Sequence, residues 1–402
     1  MKNTSFTHSK KQYVTEFDVI IIGAGASGLM AAIQAARRGR KTAVIDHADQ
    51  AGRKIRVSGG GKCNITNRHI AVDDYFGEDR GFCKYALKHF PPRFVLSMLQ
   101  NAGIETEERE HGRIFCKNGA SEVVSYLIRT AVNAGVHFFL NMKVFGVNYS
   151  TRFCVDCQGR QFESPHLLIA TGGLARPQMG ATSFGYTLAK KFGHTVVPLK
   201  PALAGMILPP SDPLLNLQGI SLRARLHIKG KFKPVEEPLL FTHQGISGPS
   251  VLQVSCFWEK EDVIAINFLP SEDLIERMHE PANGKFPVNS LITKFLPERL
   301  AFALIPKPLS CRKNAELSKK DRLIIARRVH DYPLVPEAVE GFSKAEVTLG
   351  GVSTRDLFPE RMESRLIKGL FFSGEVIDIT GKLGGYNIHW AFASGSLAGQ
   401  HL

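Results

Sequence analysis

Phe17-Asp-Val-Ile-Ile-Ile-Gly23-Ala-Gly25-Ala-Ser-Gly28-Leu-Met-Ala-Ala32 sets an apolar run against three spaced glycines and an alanine-rich segment. Val19 to Ile22 has no polar side chain, as a strand buried on both faces of a parallel sheet requires. From Ser27 onward the composition is helical. Gly23 permits the tight turn, Gly25 lets a pyrophosphate approach the backbone, and Gly28 lets helix and strand pack closely. The N–H groups of Ala26, Ser27 and Gly28 then open the helix and offer partial positive charge to phosphates. Thr42-Ala-Val-Ile45 reads as a second strand ending at Asp46, the spacing at which a carboxylate takes ribose hydroxyls. The glycine spacing alone would also suit a turn without a ligand. Strand, helix, second strand and acid in this order point to a dinucleotide site.

The chain has 402 residues, 44 % hydrophobic and 22 % charged, a soluble composition with room for two or more domains. No apolar run approaches membrane-spanning length. Residues 1–16 are polar and basic without the apolar centre of a signal peptide, and read as a disordered tail. Seven scattered cysteines suit a reducing cytoplasm better than a disulfide framework. The formal charge is +14, yet residues 200–341 hold 19 Lys and Arg against 16 Asp and Glu. The remainder therefore carries +11, including the cluster Arg53, Lys54, Arg56, Lys62 and Arg68. A basic surface of this kind suits an anionic substrate up to and including RNA, and equally a set of phosphate-facing side chains.

Residues 17–199 and 342–402 read as one α/β domain interrupted by an insertion, 200–341. Helical stretches are expected near 81–103 and 120–135, and three short strands at Lys143–Val147, Phe153–Cys157 and Gln161–Ile169. The last runs into Ala170-Thr171-Gly172-Gly173. A proline-rich patch (Pro198, Pro201, Pro209, Pro210, Pro213) marks the boundary. The insertion reads as β-rich over about 200–270 and helical over about 271–335.

The C-terminal segment bears on which dinucleotide binds. Gly369-Leu-Phe-Phe-Ser-Gly374-Glu375 is a strand ending in a glycine turn. Asp378, Gly384-Gly385-Tyr386-Asn387 and a small-residue helix follow. A second strand, carboxylate and helix start suit the remainder of a long cofactor, FAD, and a nicotinamide dinucleotide needs no such segment. Asp378 is placed to accept a ribityl hydroxyl. N–H groups from Gly385 to Asn387 suit the pyrimidine edge of an isoalloxazine, whose charge they would balance on reduction. The same segment also serves as a final strand and helix closing the sheet.

On these residues the chain resembles the BaiN/YhiN-like flavoproteins, from Asp18 to Gly399. The carriers are Gly23-Ala-Gly-Ala-Ser-Gly28, Gly52-Arg-Lys54, Ser58-Gly-Gly-Gly-Lys-Cys-Asn64, Ala170-Thr-Gly-Gly173, Phe241-Thr-His-Gln-Gly-Ile-Ser-Gly-Pro249, Thr348-Leu-Gly-Gly-Val352 and Gly374-Glu375 through Asn387. Asp46 stands where the family usually has Glu, and Lys62 where Arg is common. The resemblance implies a Rossmann-like FAD-binding domain of the two-dinucleotide-binding-domain flavoprotein type, interrupted by a β-barrel-like and helical insertion. It also implies cofactor contacts from Arg53, Lys54, Ser58, Gly59, Gly60, Gly61, Asn64, Val144, Thr171, Gly172, Gly173 and Glu375. Related proteins act on steroid enones, on amines, or on a uridine of large-subunit ribosomal RNA.

Flavin chemistry needs a substrate carbon over the ring and a managed proton. Cys63, beside the glycine loop and three cations, is one proton donor to consider, and His243 in the insertion another. A buried structural thiol and a satisfied structural imidazole suit the same positions. Tyr386 and His389 read as packing. Cys154-Val-Asp-Cys157 lies in an alternating strand, where positions three apart face opposite ways, so no metal site is expected. The function expected is FAD-dependent reduction of a polarised C=C bond in a small unsaturated substrate or ribosomal RNA. NAD(P)H would serve as a transient reductant, since only one GxGxxG is present. A flavin-free NAD(P)-dependent dehydrogenase, or a non-catalytic flavoprotein binding RNA or protein through its insertion, are the other readings.

Overall fold

Five short apolar strands build a parallel array. In the computed structural model, which describes residues 14–402 except Phe232, the order is Leu370–Phe372, His166–Ile169, Val19–Ile22, Thr42–Ile45 and His137–Phe139. Two antiparallel strands, Glu363–Ser364 and Leu357–Phe358, extend one edge. Val19, Ile20, Ile21, Leu167, Leu168 and Val44 are fully buried, the pattern of a sheet covered on both faces. From Val19–Ile22 the chain first builds outward to His137–Phe139, then returns to place His166–Ile169 on the other side. The direction of growth therefore reverses at the carboxyl end of Val19–Ile22, where open parallel sheets hold their ligands.

The chain divides into two units: residues up to Lys200 with Val347–Leu402, and Pro201–Glu346. In the first unit, the expected strand Gln161–Ile169 is two strands. Arg160–Ser164 pairs with Phe153–Cys157 and Val14–Glu16, while His166–Ile169 joins the parallel sheet. Pro165 separates them because it has no N–H for either ladder. The tail expected over residues 1–16 lies outside the described residues up to residue 13. Its last three residues are instead a strand, parallel to Gln161–Glu163, where the β-branched Val14 and Thr15 fit an edge. The stretch expected to be helical over 81–103 is a single-turn segment, Arg80–Cys83, and two helices, Lys84–His89 and Pro92–Asn101. Pro92 starts the second of these, in the position proline favours. Cys154 and Cys157 differ in burial across their strand, and no metal-binding cluster occurs among the described residues.

The second unit carries one antiparallel sheet in the order Tyr332–Leu334, Ile264–Asn267, Ser221–Ile228, Val235–Phe241, Gly245–Ser247, Met206–Ile207 and Ala338–Val339. Its two outer strands are separated by three residues of sequence, so the sheet curls strongly without closing. Helices Leu274–His279, Val288–Ile292, Glu298–Leu304 and Lys319–His330 do not form a separate body. Leu291, Leu300 and Ile325 share one core with Leu226, Phe241 and Ile266 of the sheet.

Candidate functional site

Glycines at the reversal point fall into two groups by what surrounds them. A Cβ on Gly23 (φ +112°) would overlap the Ala170 carbonyl, and one on Gly28 would overlap Gly23 O. These two weld strand, turn and helix. A Cβ on Gly25, Gly60, Gly61 or Gly172 would meet nothing within 4 Å. No side chain caps the helix Ala26–Arg37 at Gly25, so its first N–H groups face outward.

Asp46 closes the turn from below. Its Oδ2 accepts the Ala24 N–H at 2.6 Å and its Oδ1 the Ala48 N–H at 2.8 Å, with His47 Nδ1 at 3.6 Å from Oδ1. The shorter acid thus braces its own turn. Arg53 opens the short helix Arg53–Val57, and Val144 is buried at the start of its strand. The loop that follows, Ser58–Gly61, has Gly59, Gly60 and Gly61 at φ 57°, 66° and 87°, which side-chain-bearing residues rarely adopt.

The two ends of the sequence meet here. Ser27 Oγ donates to Ser373 O at 3.3 Å, and a Cβ on Gly374 would lie 2.6 Å from Ser27 Oγ. Lys54 Nζ sits 2.6 Å from Glu375 Oε2, and Glu375 Oε1 accepts the Thr348 N–H at 2.9 Å. Glu375 thereby acts as a brace with both oxygens engaged. Gly395 and Gly399 of the C-terminal helix Tyr386–His401 have no room for a Cβ, because Ser27 O and Ala31 O lie against them. That helix also lacks a side-chain cap at Gly385, itself pressed on Thr66 O. The Asn387 side chain is spent locally: Oδ1 accepts Gly381 N–H and Nδ2 donates to Gly381 O, both at 2.8 Å. Tyr386 packs edge-on against Tyr75, and its hydroxyl donates to His69 O at 3.2 Å.

Thr348 is a positioning residue that the sequence reading does not single out, although its motif, Thr348-Leu-Gly-Gly-Val352, is visible there. Its Oγ1 accepts the N–H groups of Leu174 (2.8 Å) and Ala175 (3.1 Å), and its carbonyl accepts Thr380 Oγ1 at 3.0 Å. It therefore fixes the exit of the Thr171-Gly172-Gly173 turn to the C-terminal segment. Gly173 leaves no room for a Cβ against Thr348 and Glu375.

Asp378 is buried, and burial raises its carboxyl above the usual range while the Glu78 N–H (2.9 Å to Oδ2) pulls it back. Cys63 (φ +50°) is fully buried. Its thiol is held below the ordinary value, but not by the neighbouring cations: a hydrogen bond with Cys116 contributes most, burial opposes it, and Ser58 adds a second bond. The Cys116 thiol, acting as donor and itself buried, is pushed up. His243 lies on the exposed turn between Val235–Phe241 and Gly245–Ser247 of the second unit. His389 is fully buried, with Nδ1 at 2.9 Å from Thr66 Oγ1, and burial lowers its pKa to about 4.

These features fit an FAD. Two uncapped helix starts suit pyrophosphate and a ring edge. Open-sided glycines at 25, 60, 61 and 172 admit close approach. The free N–H groups at these two helix starts are the donors left for such a ligand to satisfy.

The HI0933-like protein Rossmann domain family matches residues 17–401. A ribosomal RNA dihydrouridine synthase of Escherichia coli (strain K12) is 37 % identical over 96 % of this chain and 98 % of its own. A 3-dehydro-bile acid delta(4,6)-reductase of Clostridium scindens is 30 % identical over 94 % of this chain and 97 % of its own. A quinol-fumarate reductase solved with menaquinol molecules covers 97 % of this chain and 71 % of its own at a TM-score of 0.52 and 16 % identity, a likeness of fold. With the match running nearly end to end, the chain belongs to the HI0933-like Rossmann family of FAD-type oxidoreductases.

Proposed function

We propose that this protein reduces the C5–C6 double bond of a uridine in large-subunit ribosomal RNA, giving dihydrouridine, in the cytoplasm and with NAD(P)H as a transient reductant. The observation that carries the proposal is the end-to-end 37 % identity to a ribosomal RNA dihydrouridine synthase. The +14 formal charge supports it by favouring a polyanionic substrate. FAD, when bound, supplies hydride chemistry at the isoalloxazine ring. The chain's own residues bind and orient it. The Ala26 helix start and Gly25 take the pyrophosphate, the Gly59–Gly61 loop and the Gly385–Asn387 backbone take the ring, and Asp378 takes the ribityl chain. The uracil carbon opposite the one receiving hydride needs a proton. Cys63 Sγ, next to the Ser58–Gly61 loop, is the donor we assign, with His243 as the alternative.

The similarity to a bile acid reductase favours a second reading, a small cyclic enone as substrate. Deleting the gene and mapping dihydrouridine in large-subunit ribosomal RNA by nucleoside mass spectrometry separates the two. Loss of one modified position, restored by the wild-type gene, supports the RNA substrate; an unchanged profile contradicts it.

A further inference from the structure

The helix Lys319–His330 turns Ile325 and Val329 into the core of the second unit. Its one acidic residue is consumed at the start: Asp321 accepts Ser318 Oγ at 2.7 Å and Ser318 N–H at 3.0 Å, and lies 3.4 Å from Arg312. Lys319, Lys320, Leu323, Ile324, Arg327 and Arg328 are all exposed. Their spacing (i, i+1, i+4, i+5, i+8, i+9) lays them in two adjacent stripes along one face. Leu323 and Ile324, 51 % and 39 % exposed, lie between two pairs of cations. Among the described residues none of the four cations pairs with a carboxylate, and Arg328 donates to Leu304 O at 3.3 Å. An ordinary solvated face mixes both signs. Lys319 and Lys320 also sit in the first turn, where the helix dipole disfavours cations. A local rule broken in this way marks a surface kept for binding.

We infer that this face docks the phosphate backbone of ribosomal RNA. The inference rests on the RNA substrate proposed above and adds the surface that grips it. The cations span about 13.5 Å of helix, enough for several phosphates, with the two aliphatic side chains against sugars or bases. An anionic membrane is the weaker match, because the helix's continuous apolar side is already inside the unit.

The test measures fluorescence anisotropy of labelled, protein-free large-subunit ribosomal RNA with full-length holoprotein across a salt series. The variant is K319E/K320E/R327E, and K229E/K233E/K260E is a control of equal charge change at exposed sites of the same unit. The docking variant is expected to bind at least tenfold more weakly than the control, with a salt slope shallower by about 2. Unchanged far-UV circular dichroism, and K319Q/K320Q/R327Q giving a smaller loss in the same direction, show that folding is not the cause. Equal binding by the docking variant and the control overturns this surface alone, leaving the RNA substrate standing if wild type binds and reduces the RNA. Wild type that neither binds nor reduces the RNA overturns both. Binding to phosphatidylglycerol vesicles through these residues, without RNA binding, overturns the inference in favour of a membrane.

Discussion

Gly25 and Gly28 stand three residues apart and serve different ends. At Gly28 a side chain has nowhere to go, whereas at Gly25 it meets only open space. Gly28→Val is therefore expected to destabilise the apoprotein by about 3 kcal/mol or more through overpacking. Gly25→Val should cost only about 1 kcal/mol, as a poorer helix cap, and still purify without flavin. Denaturant unfolding and the visible absorbance of each variant check the pair. His389 gives a pH dependence. Its folded pKa is about 4 against an ordinary 6.5, so the unfolded chain binds the extra proton first as pH falls. Stability is then lost between pH 6.5 and 4, by on the order of 3 kcal/mol from this group. A His389→Gln variant should show a slope shallower by up to one proton in urea melts over that range; an identical slope would contradict a buried neutral imidazole. The packing roles of Gly23 and Gly28 could be read from sequence, because a strand, tight turn and helix in that order need close backbone approach at those two positions. The cause of the lowered Cys63 pKa could not: it depends on Cys116, fifty-three positions away in the chain and brought close by the pairing of Asn64–Asn67 with Arg113–Cys116.

At the scale of elements, the C-terminal helix is fastened to the N-terminal one through glycines. Gly395→Ala should therefore cost about 1–3 kcal/mol and weaken FAD retention together, since Tyr386–His401 must shift off Ser27. Thr348→Val keeps the shape but strands two N–H groups, so about 1–3 kcal/mol of stability should vanish in chemical denaturation. An unaffected variant would mean that the Leu174–Ala175 turn is held by something else. The βαβ opening and the strand Leu370–Phe372 were legible because their apolar periodicity admits few alternatives. The break at Pro165 was signalled by the proline itself, yet hidden by strand-like composition on both sides, alternating before it and continuously apolar from Leu167 after it. Val14–Glu16 carries too little pattern in three residues to be distinguished from a tail, and its place comes from a partner strand far along the chain.

Across the whole molecule, charge is what separates the RNA-reducing proposal from a small-molecule one. Most of the +14 lies outside residues 200–341, while Lys319–His330 carries a local excess that nearby acids conceal in the total. Binding to ribosomal RNA should fall steeply with salt, as counterion release demands, whereas turnover of a small neutral enone should be nearly indifferent to it. A substrate whose turnover ignores ionic strength would favour the enone.

The most direct measurement is an anaerobic single turnover. Holoprotein reduced with NADPH is mixed with protein-free large-subunit ribosomal RNA lacking the modification, and flavin absorbance and nucleoside mass are followed together. The oxidised flavin band should return in step with one uridine gaining two hydrogens, and Cys63→Ser should slow this return about 10²-fold or more without loss of FAD. Flavin that stays reduced in the presence of this RNA, or a purified protein that never takes up FAD, would contradict flavin-dependent reduction of the RNA.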